Sequence, residues 1–295
     1  MKVFIYGQYW KADDAPHVNG LITQLKSHGA DLCIYQPYLE KAHLASNNHT
    51  IASNYDDLKA FAPDVFITLG GDGTILSAIG LIRDLEIPIM GINLGRLGFL
   101  ASIEQERISM AVEQLANKKY TVTRRTMLKM NSSPEIFPEQ GFALNDLTLL
   151  KRDNSSMVVV RAYIDGLFLN SYWADGLIVS TATGSTGYSL SCGGPIIFPI
   201  SENLILTPVA PHNLSVRPVI VPGNSEISLK IEGRAENFLC ALDGRNALVT
   251  SDHEIKISKC EFVTQTISLE GDDFMKTIRN KLNWGLDKRN YEGKD

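Results

Sequence analysis

In residues 3–92 two hydrophobic spacings alternate. Apolar runs at 3–6, 31–35, 65–69 and 87–92 have the length of buried strands, while 18–27 and 75–83 carry apolar residues at helical intervals. That rhythm predicts a parallel sheet with helices on its faces, and in such sheets ligands gather at the carboxyl ends of the strands. Ser102-Ile-Glu-Gln105 has capping-box spacing and opens a periodic segment of Ile103, Met110, Val112 and Leu115, which predicts a helix to about Ala116. A first domain over 1–117 follows.

From Tyr120 the texture changes to β-branched runs at 120–130, 144–150, 157–164 and 177–180, separated by Asp165-Gly166, Pro222-Gly223, Glu232-Gly233 and Asp243-Gly244. This predicts a β-rich, sandwich-like domain over 118–270. Phe274, Ile278 and Leu282 recur every four residues among Lys276, Arg279 and Lys281, so 271–295 is expected to hold an amphipathic helix docking back on the first domain, with a frayed polar tail at 287–295. The fold class is therefore α/β plus β.

Composition adds exclusions. With 44% hydrophobic and 21% charged residues among 295, the chain is an ordinary globular one with material for two cores. A net charge of −5 argues against nucleic-acid or membrane-surface partners, which select dense basic faces, and leaves small anionic ligands open. Cys33, Cys192, Cys240 and Cys260 show no C-x-x-C spacing, which predicts neither a zinc site nor a disulfide framework and fits a reducing compartment. Without an apolar run of membrane-spanning length, the expectation is a cytoplasmic protein.

The run 65–69 leads into Gly70-Gly71-Asp72-Gly73-Thr74. Glycines there let main-chain N–H groups approach an anion, and a following helix, which Thr74 is expected to cap, adds partial positive charge. Gly70, Gly71, Gly73 and Thr74 are thus candidate phosphate-binding residues. Asp72 sits oddly in such a cradle unless it activates a hydroxyl or binds a metal. Taken alone, the motif reads more readily as a plain strand-to-helix turn.

Residues 174–195 open from an apolar strand into small and hydroxyl residues. Thr181, Thr183, Ser185, Thr186, Ser189 and Ser191 can donate to ribose or phosphate oxygens, Gly184 and Gly187 permit close approach, and Tyr188 offers a stacking face. Asn145-Asp146 interrupts the apolar run 144–150: either Asn145 reads an amide or hydroxyl pair while Asp146 accepts from ribose hydroxyls, or the two form an Asx turn. Asp175 and Asp243 each precede a glycine and read singly as turn residues. His212 reads as loop-fixing, and Arg124-Arg125 and Lys151-Arg152 as solvated charges.

In this order, residues 69–74, Asn145-Asp146, 175–195, 211–218 and 274–284 resemble the bacterial NAD kinases over nearly the whole chain. The Gly-Gly-Asp-Gly-Thr turn alone is shared with diacylglycerol and sphingosine kinases and resembles that of phosphofructokinase; the Thr183-Gly-Ser-Thr-Gly-Tyr188 run narrows the likeness. The resemblance implies a Rossmann-like N-terminal domain, a β-rich domain holding NAD and a returning terminal helix. It implies Asp72 as catalytic proton acceptor for the 2′-hydroxyl of the adenosine ribose, with Gly73 beside it. By the same matching, Asn145 and Asp146 bind the adenosine part, Asp175 lies near the nicotinamide end, and Thr183, Thr186, Gly187, Tyr188, Ser189, Leu190, Ser191 and Ala210 line the dinucleotide site.

ATP as phosphate donor, Mg²⁺ or Mn²⁺ on its phosphates with unassigned protein ligands, and a homodimer or homotetramer complete what the resemblance implies. Three positions depart from the family pattern: Ser77 stands where a basic residue is common, with Arg83 or Arg96 as substitutes; Ala182 replaces a usual proline; Leu100 replaces a frequent tyrosine. Two alternatives stay open, a lipid or sugar kinase of the same superfamily and a non-catalytic NAD- or NADP-binding regulator.

Overall fold

The computed structural model describes residues 1–44, 49–95, 98–152, 157–233 and 236–284. The chain packs as two compact units, Met1–Arg124 with Thr264–Asp295, and Arg125–Val263.

In the first unit β1 (Lys2–Gly7), α1 (Ala15–Ser27), β2 (Asp31–Tyr35), α2 (Gln36–Lys41), β3 (Thr50–Ala52), α3 (Tyr55–Phe61), β4 (Val65–Leu69), α4 (Asp72–Ile82), β5 (Ile89–Asn93), β6 (Ile103–Glu104) and α5 (Ile108–Ala116) succeed one another. The strands pair in parallel in the order β3-β2-β1-β4-β5, with β6 beside β5. Because helices cover such a sheet on both faces, its strands read as continuous apolar runs, and all five residues of β4 are buried. Strand order reverses between β1 and β4, the switch at which open α/β sheets bind ligands. The Gly-Gly-Asp-Gly turn follows β4 at that end.

Two local expectations need correction. Gly71, not Thr74, occupies the cap position of α4, and Thr74 is buried in the first turn. Ser102 does not open a helix either: Ile103 pairs with Ile92 as a strand residue and is buried, so a 3₁₀ turn at Gln105–Arg107 delays the helix to Ile108.

The second unit holds most of β7 (Tyr120–Ser133), then β8 (Phe142–Ala143), β9 (Asp146–Lys151), β10 (Val158–Ile164), β11 (Leu167–Ala174), β12 (Gly176–Thr181), α6 (Tyr188–Ser191), β13 (Leu204–Val209), β14 (Val219–Val221), β15 (Ile227–Glu232), β16 (Phe238–Leu242), β17 (Arg245–Val249) and the start of β18 (Glu254–Leu269). One antiparallel sheet runs β14-β13-β12-β9-β16-β17 and another β11-β10-β15-β18. Alternate residues of both, among them Leu147, Leu149, Leu177 and Val179 against Val158, Val160, Leu229 and Ile231, bury into one core. The Asp165-Gly166 and Asp243-Gly244 hairpins have positive φ at both residues, the mirror-image turn that suits strand twist. Asn145 does not interrupt a single strand; it lies between β8 and β9.

Beyond Val263 the chain rejoins the first unit. Thr266 pairs in parallel with Ile89, and Ile267 and Leu269 enter the first core. Arg107 and Asp272 form a 2.9 Å ion pair. Helix α7 (Phe274–Leu282), capped by the Asp273 carboxylate accepting from Lys276 N–H at 2.6 Å, brings Lys281 Nζ within 5.7 Å of the Phe99 ring centre. Both the polar tail at 287–295 and Arg96 lie outside the described residues.

Candidate active site

Asp72 is the first residue of α4, and its carboxylate reaches across to the loop after β5. Oδ2 accepts from Phe99 N–H at 2.9 Å, and Oδ1 accepts from Leu100 and Ala101 N–H at 3.0 and 2.8 Å. A carboxylate offers about four lone-pair positions, so roughly one, on Oδ2, stays open to another donor. Gly98 makes the approach possible, since a Cβ there would overlap the Asp72 carboxylate. Of the three glycines in the turn only Gly70 has positive φ, +144°. Ser77 is exposed and turns its hydroxyl back to Gly73 O at 3.0 Å. Arg83 does not replace the missing basic residue: α4 separates it from the turn by about 16 Å at 1.5 Å per residue, and its guanidinium sits over the Tyr55 ring.

Asn145 and Asp146 belong to the second unit, where the main chain holds them from several sides. The Asp243 carboxylate accepts from Leu144, Asn145 and Asp146 N–H at 2.6, 2.9 and 3.0 Å, and Asp243 N–H donates to Asp146 O at 3.1 Å. Thr181 N–H donates to Asn145 O at 2.9 Å. Gly184 lies so close to the Asn145 main chain that a side chain would run into it. The Asx-turn alternative is not what forms at Asn145, because its Oδ1 accepts no main-chain N–H two residues on. Asn145 Oδ1 is buried with no hydrogen-bond partner among the described residues. A Cβ on Gly187 would stand 3.8 Å from both Asn145 Nδ2 and Asp146 Oδ2, so the open side of that glycine faces the pair.

Electrostatics single out the same place. Burial, and then the Asp243 charge, push the Asp146 carboxyl up to about 7. Burial also raises Asp243, opposed by its three N–H donors and the Arg245 guanidinium.

The hydroxyl-rich run divides in two. Thr181 donates to Leu144 O and accepts from Gly184 N–H, Ser185 donates to Ala182 O at 2.6 Å, and Ser189 shares a 2.8 Å bond with Thr207. These three hydroxyls are buried and build the loop. Thr186 donates to Thr183 O at 3.2 Å, and Tyr188 and Ser191 are exposed. Leu190 is half-buried. Asp175 pairs with Lys151 at 2.7 Å, and its N–H donates to Val209 O, next to Ala210, an exposed residue with φ +44°.

Two residues read from the sequence as bland have a part here. Asp243 anchors the Asn-Asp pair, and Arg125, read as a solvated charge, directs its guanidinium to Thr183 Oγ1 at 3.4 Å. Arg124 instead pairs with Glu86, and His212 is exposed.

Residues 22–120 match the ATP-NAD kinase N-terminal domain and residues 144–269 the ATP-NAD kinase C-terminal domain. An NAD kinase of Cytophaga hutchinsonii is 46% identical over 290 residues, 97% of this chain and 99% of its own length. The structure of yeast NADH kinase complexed with NADH superposes with a TM-score of 0.82 at 25% identity, covering 96% of this chain and 87% of that one. An NAD kinase from Archaeoglobus fulgidus in complex with ATP gives 0.76 at 26%, over 96% and 99%. The two domain matches together define a nucleotide phosphotransferase. The chain belongs to the ATP-NAD kinase family. Its activity is that of an NAD kinase, which phosphorylates NAD to NADP.

Proposed function

We propose that Asn145 and Asp146 hold the adenosine part of NAD and that Asp72 accepts the proton of its ribose 2′-hydroxyl as the terminal phosphate of ATP is transferred. The observation that carries this reading is the buried, unpartnered Asn145 Oδ1 beside Asp146, with Gly187 leaving both side chains accessible. A buried acceptor left unpaired costs about 1–3 kcal/mol, which a ligand donor would recover. Thr183, Thr186, Gly187, Tyr188, Ser189, Leu190, Ser191 and Ala210 then shape the dinucleotide site, with Asp175 toward the nicotinamide end. Gly70, Gly71, Gly73 and Thr74 face phosphate. In domain terms, the first unit carries the phosphate turn and the β-rich unit, Arg125–Val263, holds NAD.

Phosphoryl transfer asks a protein mainly for alignment and charge neutralisation. Asp72 suits the alignment because three N–H bonds fix its oxygens and leave Oδ2 able to accept. A bound Mg²⁺ or Mn²⁺ supplies charge neutralisation at the donor phosphates. Magnesium commonly takes one or two carboxylates together with phosphates and water, so such an ion would arrive on the donor phosphates, and no protein ligand is assigned to it because the one open position of Asp72 is given to the ribose hydroxyl.

A homodimer or homotetramer in the cytoplasm completes the proposal. Its support is β11, which ends its sheet and leaves Leu167, Phe168 and Trp173 exposed by 77, 59 and 53%. No described helix is long and apolar enough to cross a membrane.

Incubation with NAD, ATP and Mg²⁺, with the product read by an NADP-specific dehydrogenase, tests the activity. Polyphosphate and other triphosphates in place of ATP, and NADH in place of NAD, define the range. Binding without product would favour the regulator, and phosphorylation of added diacylglycerol in place of NAD the lipid kinase.

A further inference from the structure

We propose that Asp243 is a positioning residue for dinucleotide recognition: its carboxylate, at the tip of the β16–β17 hairpin, fixes the main chain of residues 144–146 and thereby aims the Asn145 and Asp146 side chains. This rests on the reading that the pair holds NAD.

The hairpin alone does not call for a carboxylate. Asp243 has φ +48° and Gly244 φ +80°, a turn that Asn or Gly at the first position satisfies equally well. What Asp243 adds is three acceptor contacts to successive N–H groups of the segment entering β9, the last of which belong to Asn145 and Asp146. With Thr181 N–H on Asn145 O and Gly184 against its main chain, the segment is restrained from both sides. The arrangement also sets a second half-buried carboxylate against Asp146, which a purely structural turn would avoid. Arg245 lies behind Asp243, its guanidinium donating to Leu242, Gln140 and Phe142 O. The charged and titratable groups bearing on Asp146 are thus Asp243, Arg245 through it, and Tyr188 from α6.

Asp243→Asn and Asp243→Gly both tolerate the left-handed turn, so the hairpin persists while the anchor weakens or disappears. Expected in each is a KM for NAD raised about 10- to 100-fold, with kcat within about threefold and the KM for ATP unchanged. A second readout separates positioning from mere stability. In the wild-type protein 1/KM for NAD is expected to fall as pH drops through about 7, because Asp146 accepts as the anion. Removing the neighbouring charge moves that inflection toward acid in both variants.

Asp146→Asn, measured in parallel, checks the underlying reading, with a raised KM for NAD and no inflection. An unchanged KM in Asp146→Asn sinks that reading. A raised KM there, with wild-type KM and inflection in both Asp243 variants, leaves Asp243 a turn residue and overturns the proposal. Amide exchange of residues 144–146 in the wild-type protein needs no substitution: protected N–H groups are expected, and rapid exchange there overturns the anchor whether or not the variants fold.

Discussion

Gly98 stands where any side chain would intrude on the carboxylate of Asp72, 26 residues earlier in the chain. The proposed base and the loop it grips are therefore one assembly. Gly98→Ala is expected to break the three N–H contacts of Asp72, lowering kcat about 10- to 100-fold and stability by about 1–3 kcal/mol. Steady-state kinetics with a thermal melt read both, and a variant with wild-type kcat and melting would mean that the loop is not part of the site.

Asp72→Asn keeps an acceptor for the loop but not the proton-accepting charge. Turnover should fall about 10²- to 10⁴-fold with little change in NAD affinity. Undiminished kcat would remove Asp72 from the proton transfer.

Gly184→Ala tests the Asn-Asp pair of the β-rich unit. A methyl group there meets the Asn145 main chain, so the Asn-Asp pair must shift. The expected outcome is a KM for NAD raised about tenfold or more with kcat less affected, measured beside circular dichroism to confirm folding.

Asp146 links pH to stability with a definite sign. Its folded-state carboxyl is pushed up to about 7 from an ordinary 3.8, so its contribution is fully present below the lower value and lost as pH rises through the upper. Replacing it in Asp146→Asn should therefore stabilise the ligand-free protein at pH 8, by on the order of 1–3 kcal/mol after solvent screening, and not at pH 3.5. Melting temperatures of both proteins across this range decide it; a difference independent of pH would contradict the assigned cause.

If β11 mediates self-association, charges on it should disrupt it. Phe168→Lys with Trp173→Lys is expected to lower the sedimenting mass without loss of secondary structure. An unaltered mass would move the contact elsewhere.

Local motifs made part of the site legible. Asp72 in its glycine turn, Asn145-Asp146 and the hydroxyl run each declare their chemistry within a few residues. Their partners do not: Asp243 meets the Asn-Asp pair across 97–99 residues, and the Asp72 loop lies 27–29 residues on. Direction was equally hidden, since a run of hydroxyls reads the same whether it faces a ligand or, like Thr181, Ser185 and Ser189, the protein itself. The parallel sheet was legible from its apolar runs, whereas α2, β3 and α3 were not, being too short to show a period.

Strand β18 carries a consequence for synthesis. Its first residues pair within the β-rich unit, while Ile267 and Leu269 complete the core begun by Val3 and Ile5. On the ribosome the unit that starts the chain is thus the last to be finished. It must wait, with an apolar gap in its wall, until some 270 residues have been made.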